Sequence, residues 1–431
     1  MFKNSLSKIL FLILSQGILM SAVIDSLEIN KKNVPIIFEK SETLPIFNLQ
    51  LVFKNSGYLR DGNQIGITNL TSKILNEGTK KDGASKFSQK LENKAISIHV
   101  NNGFETFVIE VSCLQSEYSS AMKLLAELIE DPNLTEDTLS KIKTMQISKI
   151  KQKEDDFDTV ASKNLNKIIW KNTPLEHGSM GDIKSIEKIS LLDVNNHLIK
   201  LKNLDDLVIV VGGKIELKEF KKDIVKILRT FKNYGSTKTQ KFNISNKVAE
   251  KKLIKKTEQA YIYFGSDFQL EHNSTDAYKA KVASFILGGS GFGSRLMEEI
   301  RVKNGLAYSA YGYISLNTSY SYFTGYLQTK IENEEKAKAL VIKTINDFVE
   351  HGATKEELAS AKKFLSGSEP LRTETFSQRL GLAFNLFYKD LPQDNPKKEL
   401  DLIQNLSIED LNSFIKSHKE ILGLSFSIVT K

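Results

Sequence analysis

The order of elements that can be read from this chain runs twice, and that duplication limits its possible folds more than any other feature. A helical pattern at 118–130, stopped by Asp131-Pro132, leads into Leu134-Thr135-Glu136; the pattern at 336–351 leads likewise into Ala353-Thr354-Lys355-Glu356. In both halves the next helix opens on a threonine followed by acidic residues, the composition of a capped N terminus. The first half also has strand-like clusters at 34–38 and 47–53, turn-rich segments at 55–57 and 61–63, and a helical pattern from Ile65. Alternating strands at 96–100 and 106–114 follow, and the half closes on the buried run Leu207-Val208-Ile209-Val210-Val211 before Gly212-Gly213. The second half offers a strand at 260–264, a helix at 277–287, a glycine-rich loop and a helix at 295–303. Strands at 306–316 and 320–330, the helix pair and a terminal strand at 424–429 complete it. Two copies of one α+β unit follow, each a mainly antiparallel sheet packed against helices. The expected domains are 23–232 and 257–431, joined by a polar connector at 233–256.

With 431 residues, 40% of them apolar, the chain can bury two substantial cores. Residues 1–22 carry Lys3 and Lys8, an apolar run from Ile9 to Met20, then Ser21 and Ala22, the layout of a secretory signal peptide. No later stretch is apolar for about 20 residues, so no stable membrane span is expected. The product is expected in the periplasm or secreted after cleavage, or tethered by an uncleaved signal. Cys113 is the only cysteine, so no intrachain disulfide can form; its alternating surroundings place it as a buried thiol on a strand. The formal charge of +8 becomes +6 once Lys3 and Lys8 are removed. Its densest run, Lys251-Lys252-Leu253-Ile254-Lys255-Lys256, has no interleaved aromatics and reads as a solvated connector. No nucleic-acid partner is indicated.

The segment Gly66-Ile67-Thr68-Asn69-Leu70-Thr71-Ser72-Lys73-Ile74-Leu75-Asn76-Glu77-Gly78-Thr79 resembles the zinc-site helix of the pitrilysin/insulinase metallopeptidases, in the short-subunit form that includes the mitochondrial processing peptidase. In active members of that family the helix carries His-x-x-Glu-His. Here Asn69 and Lys73 stand at the histidine positions and Ser72 at that of the general base. The family's third ligand, a glutamate on the helix after the Asp-Pro turn, corresponds to Lys149, beside Ile150. Zinc needs imidazole, thiolate or carboxylate donors converging from one turn apart, and its water needs a carboxylate to take a proton. An amide, a hydroxyl and two ammonium groups supply neither, and the two ammonium groups are expected to face the vacancy and repel a divalent ion, so no metal is expected on this chain. His99, His177, His197, His272, His351 and His418 are scattered without metal-ligand spacing.

The segment from Leu287-Gly288-Gly289-Ser290-Gly291-Phe292-Gly293-Ser294-Arg295-Leu296 through Ala307-Tyr308-Ser309 is similar to the C-terminal signature of the same family, and 203–213 and 368–380 extend the likeness over nearly the whole mature chain. The glycines follow a helix, which argues against a phosphate-cradling loop and for a tight helix connection. In the family, an arginine at that helix end and a tyrosine seven residues on hold the substrate's backbone carbonyl; Arg301 and Tyr308 have this spacing. Charge-assisted donation from a guanidinium and a phenol suits that task. The resemblance therefore implies a non-zinc subunit of a heterodimer, with Arg301 and Tyr308 binding an extended peptide for a zinc-bearing homologous partner. The alternative is a peptide-binding or assembly protein of the same fold without enzymatic function.

Overall fold

The computed structural model describes residues 22–245 and 247–431; the expected signal segment lies, but for Ala22, outside the described residues. Eleven strands in two sheets are found among them. The first sheet comprises β1 (Val23–Ile29), β2 (Lys32–Lys40), β3 (Ile46–Phe53), β4 (Ser97–Asn102), β5 (Phe107–Leu114) and β6 (Leu207–Gly213), in the order β1-β2-β6-β3-β5-β4. The second comprises β7 (Glu250–Ile254), β8 (Gln259–Asp267), β9 (Ala307–Leu316), β10 (Ser321–Lys330) and β11 (Ser425–Thr430), in the order β7-β11-β8-β10-β9. Setting β1 aside, the two orders superpose strand for strand. Even the one parallel pair of each sheet matches, β2 with β6 and β7 with β11, while all other pairings are antiparallel. The duplication read from the helix pairs is thus carried by the sheets as well.

One face of each sheet is covered by helices of its own half. Leu49, Leu51, Ile109, Val111, Ile209 and Val211 meet Leu124, Leu125 and Leu128 of the helix Tyr118–Glu130, together with Phe220 and Ile224. In the second half, Ile262, Phe264, Phe323 and Ile428 meet Val341, Ile345 and Phe348 of the helix Glu334–His351. The opposite faces are closed by exchange. Helix Phe376–Tyr388, from the second half, lays Phe376, Leu380 and Ala383 on Ile37, Val52, Val208 and Val210 of the first sheet. Helix Phe157–Ile169, from the first half, crosses β8 and β11, with its Leu165 and Ile169 side chains beside Gly265. Glycine recurs where each exchanged helix comes close: a Cβ on Gly212 would fall 2.6 Å from the Phe376 ring.

Polar ties secure both exchanged helices. Arg379 Nε donates to Glu39 Oε1 (2.7 Å), and Glu39 is only 5% exposed. Burial pushes the Glu39 carboxyl above its usual range, against the pull of that guanidinium. On the other sheet, Tyr263 donates its phenol proton to Asp158 (2.9 Å) and Gln328 donates to the same carboxylate (3.2 Å).

The polar stretch expected as a connector is tied down. Thr237 donates its backbone N–H and its hydroxyl to Asp206 (2.8 and 2.6 Å), Asn55 donates to the Thr237 carbonyl, and Phe242 and Ile244 are buried with Trp170. The basic run differs from expectation in that Lys251 to Ile254 belong to β7, an edge strand. No side chain of β7 is fully buried, so the segment has no alternating pattern to announce it; it is held by the parallel backbone ladder to β11, and its lysines discourage further pairing. Cys113 lies buried on β5, and desolvation pushes its thiol up to about 11.

Arg379→Ala strands a buried carboxylate and is expected to cost about 3 kcal/mol, the low end for breaking a buried pair because Arg379 is partly solvated. Chemical denaturation measures this loss, and adding Glu39→Gln to that background is expected to restore part of it.

Candidate functional site

Helix Ile67–Leu75 begins at Gly66, whose φ of 95° is left-handed; a Cβ there would lie 2.7 Å from Ile186 Cδ1 and 2.8 Å from the Met180 carbonyl oxygen. Asp61 caps the helix, accepting from the backbone N–H groups of Gly66 (2.7 Å) and Thr68 (3.2 Å). The Thr68 hydroxyl donates to Asp61 Oδ1 (2.5 Å) and lies 3.0 Å from His197 Nε2. Desolvation raises the Asp61 carboxyl to about 6 and lowers the His197 imidazole to about 4. His197 is thus a neutral structural partner, reached from 129 residues away in sequence. Ile67, Leu70 and Ile74 pack on Leu139, Ile142 and Ile150 of helix Glu136–Gln152.

Two of the three positions that resemble a metal centre, Asn69 and Ser72, face β4. Asn69 Nδ2 donates to Asn102 Oδ1 (3.1 Å), and Ser72 Oγ lies 3.0 Å from the same oxygen and 2.8 Å from the Asn69 carbonyl. One turn on, Asn76 grips the backbone of Val100 on both sides, donating to its carbonyl (2.8 Å) and accepting from its N–H (2.9 Å). Neutral amides therefore weld the helix to the strand. Lys73 and Lys149 are both exposed, and the inward residue at the second helix's turn is Ile150. Two solvated ammonium groups repel a cation weakly, because water screens them. What disqualifies zinc here is the donor set: Asn69, Ser72 and Lys73 provide no imidazole and no carboxylate, so the residues do not fit the ion. No cluster of three His, Cys, Asp or Glu side chains able to hold a metal is present among the described residues.

Arg301 and Tyr308 come together at one end of the second sheet. Arg301 lies in a π-helical turn, Glu298–Lys303, and Tyr308 is the second residue of β9, 82% exposed. The guanidinium carbon sits 4.4 Å from the centre of the Tyr308 ring and 4.6 Å from that of Phe292, so the cation lies over two aromatic rings. No carboxylate pairs with Arg301 among the described residues; nearby Glu299 is engaged with Lys303. Phe292 was not singled out by sequence, because a single phenylalanine in a glycine-rich loop carries no spacing signal.

The glycines serve packing. A Cβ on Gly288 would lie 2.5 Å from the Gly312 backbone nitrogen, so the loop root presses against β9. The neighbouring Arg295 is structural, forked onto both oxygens of Glu357 (2.6 and 2.7 Å) and donating to the Gly352 carbonyl. A cavity of about 670 Å³ between Lys241–Ser245 and Asn317–Ser321 is lined by none of the candidate residues.

The family description "Insulinase (Peptidase family M16)" matches residues 36–183, and "Peptidase M16 inactive domain" matches residues 188–365. "Non-peptidase homolog YmxG" of Helicobacter pylori is 42% identical over 403 residues, spanning 94% of this chain and 93% of that protein. Among solved structures, a peptidase M16 inactive domain from Pseudomonas fluorescens superposes with a TM-score of 0.86 at 23% identity, covering 95% of this chain and 98% of that one. A protease from Helicobacter pylori superposes with a TM-score of 0.82 at 14% identity, covering 95% and 100%. At these identities the two structures speak for the fold.

Asn76→Ala frees both backbone groups of Val100 and is expected to cost about 1–3 kcal/mol, with faster hydrogen exchange at the Val100 amide. Acidification tests the Asp61–Thr68–His197 chain. A lowered His197 pKa makes its contribution complete above about 6.5 and lost as pH falls toward 4, whereas the raised Asp61 pKa works in the opposite sense, so the two offset each other in the wild type. Asp61→Asn is expected to expose the histidine alone, with stability dropping by at most about 3 kcal/mol between pH 6.5 and 4 in pH-resolved melts, since His197 is not wholly buried.

Proposed function

The chain belongs to the insulinase family, peptidase family M16, and from that premise we propose that it is a non-cleaving subunit that grips an extended peptide for a zinc-bearing homologous partner. The observation that carries this reading is a contrast within one molecule. The metal-helix positions hold hydrogen-bonded Asn69 and Ser72 in place of ligands, while Tyr308 is exposed and the half-buried Arg301 beside it has no acidic partner among the described residues. The Helicobacter pylori relative, named a non-peptidase homologue, supports the first half of the contrast.

In this reading the Arg301 N–H groups and the Tyr308 hydroxyl donate to a backbone carbonyl of the bound peptide, fixing it for attack on the partner subunit. Both groups are in place before substrate arrives, so little reorganisation is needed when charge develops on that oxygen. Zinc belongs to the partner and none to this chain. Export by residues 1–22 would set the pair to work in the periplasm or outside the cell.

Co-purification with a zinc-bearing partner followed by peptide-cleavage assays tests the proposal. Arg301→Ala is expected to lower kcat/KM about 100-fold and Tyr308→Phe about tenfold, while elemental analysis of the isolated chain finds well under one zinc per molecule. Unchanged cleavage in both variants would refute the gripping role. Peptide capture without any metallopeptidase partner would favour the assembly-protein reading.

A further inference from the structure

We infer that Phe292 is a positioning residue for Arg301, forming with Tyr308 a two-ring holder that leaves only the in-plane N–H edge of the guanidinium available to a peptide oxygen. The inference rests on the gripping role proposed above.

A guanidinium can be approached over either face or along its edge, and only the edge donates hydrogen bonds. Here Cζ lies over two rings that come from different elements, with their centres 4.6 and 4.4 Å away. Neither ring is held by a core: Phe292 is 69% and Tyr308 82% exposed. Exposed single aromatics are common; two of them beside one cation that no carboxylate pairs among the described residues would occupy its non-donating faces. The loop is shaped to present Phe292. Its neighbours Gly291 and Gly293 have φ of 68° and 86°, left-handed values that residues with side chains rarely adopt, and Gly288 anchors the loop root on Gly312. The loop thus sends one large apolar side chain outward, onto the arginine.

Without Phe292 the guanidinium would regain one open face and a wider set of rotamers, and peptide binding would have to order it again. Phe292→Ala in the co-purified pair is therefore expected to raise KM for an unstructured fluorogenic ten-residue peptide about fivefold, the worth of one partly exposed cation–π contact, with a smaller change in kcat. Phe292→Tyr is expected to restore KM and Phe292→Leu to fail, because flatness and ring charge distribution matter more than bulk. Tyr234→Ala, at an exposed aromatic of the connector at 233–256, serves as the silent control. An independent readout needs no activity: in the isolated chain the Arg301 Nε–H proton resonance is expected upfield of ordinary arginines, from the two ring currents, and Phe292→Leu is expected to move it back. A resonance unaffected by Phe292→Leu overturns the holder. Unchanged KM in Phe292→Ala, with Arg301→Ala still crippling, overturns the positioning role alone; a silent Arg301→Ala defeats the gripping role and this inference with it.

Discussion

The reciprocal exchange of helices is the constraint on which the rest of the molecule depends. A sheet with a helix layer on only one side leaves its other apolar face wet, and here each half solves that problem for the other. Val208 and Val210 are sealed by Phe376 and Leu380, and the far face of the second sheet is crossed by helix Phe157–Ile169. Neither unit can swing away without uncovering a face of both, and the buried Glu39–Arg379 pair adds a polar penalty to any such motion. The geometry of Arg301 and of the 67–75 helix is therefore that of one stiff frame.

Much of this architecture was legible because it rests on local patterns. The helix pairs announce themselves through threonine caps and apolar periodicity, and the central strands through runs such as Leu207 to Val211. What escaped is non-local or unpatterned. Strand β7 has no buried side chain and exists because β11 offers it a ladder; β1 likewise pairs along β2 with mostly solvated side chains. The destinations of the exchanged helices could not be read, since an apolar stripe states that it must be covered and not by what.

The site follows the same division. Asn69, Ser72 and Lys73 were identifiable by motif, and so were Arg301 and Tyr308. Their surroundings were not: the Asn69–Asn102–Ser72 cluster, the Asn76 clamp on Val100 and the Phe292 ring all depend on partners distant in sequence. The physical case against a metal also shifts once the exposure of Lys73 and Lys149 is known. Lysine repulsion, which matters in a dry site, is muted in water, whereas the absence of imidazole and carboxylate donors holds in any medium.

The exchange also sets an order of events during synthesis. The helix that closes the first sheet starts at Phe376, and β11, which lies between β7 and β8 in the second sheet, ends at Thr430. The amino-terminal half must therefore emerge from the ribosome with an apolar face bare, unable to complete itself from its own residues. Native assembly waits for residues 376–430, and until they are available the bare face is a surface for misassembly.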